Sequence, residues 1–151
     1  MHHFELRVRY GDTDQMGFAY YANYLRWFEI GRAEMMRAMG KSYREIEAEG
    51  VSLPVLEAWC RYLEPGRYDD PIAVETGILR LARASVRFGY RIVRRDTTLA
   101  LGFTEHCFMN REGRPVRPPA SLAQVLDRAP RVPEDVAGSI PDLPRDGGAA
   151  R

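Results

Sequence analysis

Two aspartates, Asp12 and Asp14, sit in a short loop bounded by Gly11 and Gly17, directly ahead of a long apolar stretch. A carboxylate held beside the free backbone N–H groups of a helix start stays ionised. In that state it can attack a carbonyl or activate a water that does so, while the same donors stabilise a tetrahedral oxyanion. The chemistry this arrangement suits is acyl transfer to water. The residues have a second reading: aspartates are common in turns and before helices, where they cap N–H groups and catalyse nothing. Residue types alone leave both open.

Other chemistries find little support. The chain has no GxSxG elbow, Walker loop, GxGxxG turn or HExxH pair. Of three histidines, His2 and His3 lie at the N-terminus, and His106 falls within a strand pattern at a structural position. No cluster of ligands suits zinc. Asp12, Asp14 and Gly17 imitate a calcium loop, but Met16 takes one ligand position and Asn23 the closing one, so calcium fails. Neither a metal nor a cofactor is expected.

The elements that must position the loop are legible from periodicity. Phe4, Leu6, Val8 and Tyr10 alternate with polar residues, the pattern of a half-buried strand. From Tyr21 to Met39 the pattern turns helical, and bulky apolar residues cover well over half the circumference. Such a helix needs a sheet or another subunit around it. Ser42 and Glu45 form a capping box that opens a short helix closed by Gly50. Strands follow at Val51–Tyr62, Pro71–Arg83, Val86–Ile92 and Leu99–Met109, and a short helix at Ser121–Arg128. Within the third of these strands Val86, Phe88, Tyr90 and Ile92 face one way, with Arg87 and Arg91 on the opposite face. The order predicts an α+β domain, one sheet around one helix, over residues 1–129. Residues 130–151, rich in proline and glycine, read as a flexible or surface-hugging tail. Met35, Met36 and Met39 read as core rather than as an acyl tunnel.

Composition narrows the class. The chain has 151 residues, 45% of them hydrophobic, and 22 basic against 21 acidic residues for a net charge of +1. That length suits one domain, and the balance argues against nucleic acid as a partner. Lys41 is the single lysine. The charge-free run from Gln15 to Leu25 is far shorter than the ~20 residues that span a bilayer, so no membrane partner is expected. Cys60 and Cys107 are too few for a disulfide framework, which points to the cytoplasm. The apolar helix and the open strand edges predict self-association.

The run Tyr10-Gly-Asp-Thr-Asp-Gln-Met-Gly17, with Tyr20-Tyr-Ala-Asn-Tyr-Leu-Arg-Trp27, Glu29 and Arg32, resembles the signature of the hotdog-fold acyl-CoA thioesterases, in the 4-hydroxybenzoyl-CoA thioesterase-like branch. Tyr62–Pro65 and Tyr68–Asp70 resemble the family's strand-turn motif. The resemblance spans about residues 4–126. It implies a hotdog fold, a five-stranded antiparallel sheet wrapped around one long central helix, and hydrolysis of an acyl-CoA thioester without a cofactor. Asp14 is the implied catalytic carboxylate, as nucleophile or general base, and Asp12 is assigned to loop structure. The backbone N–H of Tyr21 is the implied carbonyl donor, although many members carry histidine at that position. Tyr10 and Gly17 would line the site. Arg83 and Ser85, with Arg111, Arg114 and Arg117 as further candidates, would hold the CoA nucleotide, whereas Ala82 and Ala84 replace basic residues of the aromatic-substrate enzymes. Homodimers or homotetramers are implied as well. The competing readings are an acyl carrier protein thioesterase and a non-hydrolytic acyl-CoA binding protein of the same fold.

Overall fold

A computed structural model describes residues 1–142. The chain opens with β1 (His2–Arg7), a single 3-10 turn at Tyr10–Asp12 and the aspartate loop, then α1 (Ala22–Ala38), α2 (Tyr43–Ala48) and β2 (Val51–Ser52). Four longer strands follow: β3 (Val55–Tyr62), β4 (Pro71–Leu81), β5 (Ser85–Arg94) and β6 (Thr97–Cys107). The short β7 (Met109–Asn110), α3 (Ala120–Arg128) and α4 (Glu134–Ala137) complete it. Five strands form one antiparallel sheet in the order β1-β4-β5-β6-β3, the α+β arrangement that the patterning predicts.

One face of the sheet packs against α1. Tyr24, Trp27, Phe28, Met35 and Met36 are buried with Val74, Ile78, Val86, Phe88, Tyr90 and Ile92 in one core, so the methionines are core residues. Gly31 permits the close approach, since a Cβ there would lie 2.5 Å from Val74 Cγ1. The predicted capping box is present: Ser42 Oγ accepts the Glu45 N–H and Glu45 Oε2 accepts the Ser42 N–H. Where the apolar pattern predicts one strand over Val51–Tyr62, the chain instead breaks at Leu53-Pro54, and β2 leaves the main sheet to pair with β7.

The opposite face carries Arg87, as the alternation predicts, and is covered as well. Arg87 is 1% exposed rather than solvated, because residues 130–142 cross this face. Pro130–Val132 runs over Gly77 and Gly89, paired across β4 and β5, where a Cβ would meet Arg131 backbone at 3.0 Å and Val132 Cγ2 at 2.7 Å. A register shift between Ile78 and Arg80 accompanies two backbone bonds to this segment, Ile78 N–H to Pro130 O and Val132 N–H to Ile78 O. Val136 and Ile140 then close a second apolar cluster with Leu101 and Phe103. Arg87 pairs there with Glu105 and Asp142 and lies over the Phe103 ring. The remainder of the proline- and glycine-rich stretch, 143–151, lies outside the described residues. Among the described residues no helix is long and apolar enough to cross a membrane.

Candidate active site

The loop owes its shape to local hydrogen bonds. Asp12 is buried, and its carboxylate accepts from Arg9 three times, from the backbone N–H at 2.9 Å, Nε at 3.2 Å and Nη2 at 2.8 Å. The Arg9 side-chain hydrogen bonds hold this carboxyl below the ordinary carboxylate range. The Asp12 carbonyl accepts the Tyr20 N–H and Asn23 Nδ2, both at 2.8 Å, which ties the loop to the start of α1. Every polar atom of Asp12 that bonds is thus employed in structure.

Asp14 is placed differently. Its Oδ1 accepts the Met16 N–H at 2.9 Å, its carbonyl accepts the Gly17 N–H, and its own N–H donates to Phe18 O. Gly17 has φ of +78°, the left-handed conformation this reversal needs. The carboxylate makes no ion pair among the described residues and lines an open cavity of about 440 Å3. Met16, Phe18, Tyr21, Tyr24, Tyr62 and Leu63 supply most of its walls, and Glu64 is the other acidic residue there. Three tyrosines form one continuous wall: Tyr62 meets Tyr24 edge-on at 5.0 Å and Tyr21 at 6.5 Å.

Tyr21 precedes the first residue of α1, which has no side-chain N-cap. The Tyr20, Asn23 and Tyr24 N–H groups donate to Asp12 O, Tyr20 O and Tyr21 O. Among the described residues no backbone acceptor takes the Tyr21 N–H. A cavity with a carboxylate and an uncapped helix start on its walls is competent for addition to a carbonyl.

The other predicted residues are dispersed. Tyr10 is 79% exposed and packs edge-on against Tyr68 at 5.7 Å, outside the cavity lining. Arg83 is exposed in the β4–β5 turn and Ser85 is buried at the start of β5. That turn and the cavity lie at opposite ends of β4, roughly 35 Å of strand for its 11 residues. Arg111, Arg114 and Arg117 are exposed beyond β6, at the Arg83 end. Conversely, the aromatic wall from β3 is not evident from spacing, although Tyr62–Pro65 stands out as a motif.

A buried polar network lies farther along α1. Arg32 Nη1 approaches His106 Nε2 at 2.9 Å, Thr104 Oγ1 at 3.3 Å and Tyr90 Oη at 3.5 Å, and His106 Nδ1 lies 2.8 Å from Leu53 O. Arginine only donates, so Nε2 accepts and Nδ1–H donates to the carbonyl. Burial, then the Arg32 charge, pushes His106 down to about 4. His106 is a neutral structural group, about three helical turns, roughly 15 Å, from the α1 start.

Residues 8–140 match the thioesterase-like superfamily. The chain belongs to that superfamily. An acyl-CoA thioester hydrolase, YbgC of Escherichia coli O6:H1, is 36% identical over 94 residues, covering 62% of this chain and 70% of the relative. The crystal structure of a hypothetical protein from Aquifex aeolicus superposes with a TM-score of 0.81 at 31% identity, covering 83% of this chain and 99% of that one. A DHNA-CoA thioesterase from Staphylococcus aureus has a TM-score of 0.79 at 25% identity, covering 83% and 88%. The hotdog fold and a thioesterase activity are therefore properties of this enzyme.

Proposed function

We propose that this thioesterase hydrolyses an acyl-CoA thioester to the free acid and CoA, with Asp14 as the catalytic carboxylate and the backbone N–H of Tyr21 as the oxyanion donor. The observation that carries the reading is the single cavity lined by both Asp14 and the uncapped start of α1. Asp14 either takes a proton from water as it adds to the carbonyl, or attacks the carbonyl itself to give an anhydride that water opens. On both routes one water oxygen enters the acid and the thiol leaves with a proton. Apolar walls suit the acyl group, and the first helical turn meets the developing negative charge.

Arg83 and Ser85 serve this site if two copies pair through β3. That strand is a sheet edge with Val55, Leu56, Tyr62 and Leu63 exposed on and just beyond it, whereas the other edge, β1, carries the charged Glu5 and Arg7. A two-fold axis makes the paired strands antiparallel. The Val55 end of one copy, which adjoins Ser85 through β6, then lies beside the Tyr62 end of the other. The CoA nucleotide thereby meets arginines of the second subunit in a homodimer, the unit from which a homotetramer is built.

The experiment is free-thiol release from short, long and aromatic acyl-CoA esters by wild type, Asp14→Asn and Asp12→Asn. Asparagine keeps the Oδ1 acceptor for the Met16 N–H, so Asp14→Asn should fold normally while kcat falls about 10²–10⁴-fold. Asp12→Asn should lose melting temperature and retain kcat. Near wild-type turnover in Asp14→Asn removes the assignment, and binding without turnover in wild type identifies a binding protein instead.

A further inference from the structure

The helix start described above has no side-chain N-cap, and an uncapped first turn frays. A donor group for an oxyanion must nevertheless be held still. The element that holds it comes from the sheet. Tyr62, the last residue of β3, donates its hydroxyl to the Tyr21 carbonyl at 3.1 Å. That carbonyl otherwise receives the Tyr24 N–H at 3.3 Å, a long bond. A peptide unit is planar and trans, so a bond on the Tyr21 oxygen sets the direction of the Ala22 N–H on the same rigid unit, and it anchors the residue whose own N–H, on the preceding peptide, is the proposed donor. The ring reinforces the bond through its edge-on contacts with Tyr21 and Tyr24. Burial pushes the Tyr62 hydroxyl upward from the ordinary phenol range, so it remains a donor.

We infer that Tyr62 is a positioning residue for thioester hydrolysis: its hydroxyl ties the Tyr21 carbonyl at the start of α1 to β3 and so holds the first-turn donors where the oxyanion develops. This rests on the assignment of Asp14 and the Tyr21 N–H. The hydroxyl acts on the helix backbone and not on substrate. Its contribution therefore lies in the transition state and not in ground-state binding.

Tyr62→Phe removes one oxygen and keeps the ring packing. With an acyl-CoA ester that wild type turns over, kcat should fall about ten-fold, the equivalent of about 1.4 kcal/mol. KM should stay within about two-fold and the melting temperature within about 1 °C, below the roughly 2–4 °C that about 1 kcal/mol brings in a domain of this size. An S-alkyl CoA thioether, which has no carbonyl to polarise, should bind wild type and Tyr62→Phe with equal Kd by calorimetry. Tyr62→Leu, which also removes the wall, should weaken that Kd and so shows that the probe senses the cavity. Unchanged kcat in Tyr62→Phe, or a loss carried by KM and thioether affinity, overturns the proposal while leaving the Asp14 reading intact. A wild type without turnover on any ester overturns both.

Discussion

Removing the Tyr24 hydroxyl tests how the cavity wall is held to the aspartate loop. Tyr24 is 3% exposed, and its Oη accepts the N–H of Gly66, also buried, at 3.0 Å. The Gly66 carbonyl in turn accepts the Ala19 N–H at 2.8 Å, and Ala19 bridges to Thr13, next to Asp14. In Tyr24→Phe the Gly66 N–H loses its acceptor. An orphaned buried donor costs about 1–3 kcal/mol. One lost oxygen by itself leaves less than the ~10–15 Å3 a water needs, so the orphaned donor is rehydrated only from the side of the cavity that Tyr24 lines. Ala19 Cβ and Leu99 Cδ1 already lie 3.5 and 3.8 Å from the position of a Cβ on Gly66. A loss of about 2 kcal/mol should lower the melting temperature by roughly 4–8 °C in a domain of this size. Urea unfolding followed by Trp27 and Trp59 fluorescence should show a lower midpoint with an unchanged slope. A loss below about 0.5 kcal/mol would refute the reasoning, since the Gly66 N–H would then have found another partner.

Two further outcomes are expected. His106 is neutral when buried and titrates at about 4 folded, below its unfolded value of about 6.5, so the unfolded chain binds more protons between these values. Stability should therefore be full above pH 6.5 and decline as pH falls toward 4, and His106→Gln should flatten that slope in thermal melts at pH 7.5 and pH 5. Leu56→Glu, at an exposed position of the β3 edge, should lower the molar mass seen by light scattering. If nucleotide binding crosses that edge, the same variant and Arg83→Ala should both raise KM for CoA esters; a variant that changes neither mass nor KM excludes pairing through β3.

Much of this enzyme is local and so is legible in its residues. Alternation in β5 follows from the two-residue period of a strand, the capping box at Ser42 and Glu45 needs only neighbours along the chain, and the Asp12–Asp14 loop ahead of an apolar helix is visible at contiguous positions. What local rules cannot supply is the partner of a group far away in sequence. Alternation puts Arg87 on the face away from α1, but only residues 130–142, folded over Gly77 and Gly89, bury it against Glu105. The break at Pro54 follows from a short pairing of β2 with β7, more than fifty residues on. Asp12 and Asp14 divide along the same line, the first held by a residue three positions away and the second faced by a strand distant in sequence. Both are acidic turn residues, yet Arg9 consumes one carboxylate while β3 and the β3–β4 loop build a cavity around the other. Sequence alone carries the periodicities and the residue types, because these depend on neighbours a few positions apart. The distance from Arg83 to the cavity, and the bond from Tyr62 to the start of α1, exist only once sheet register fixes which distant segments meet.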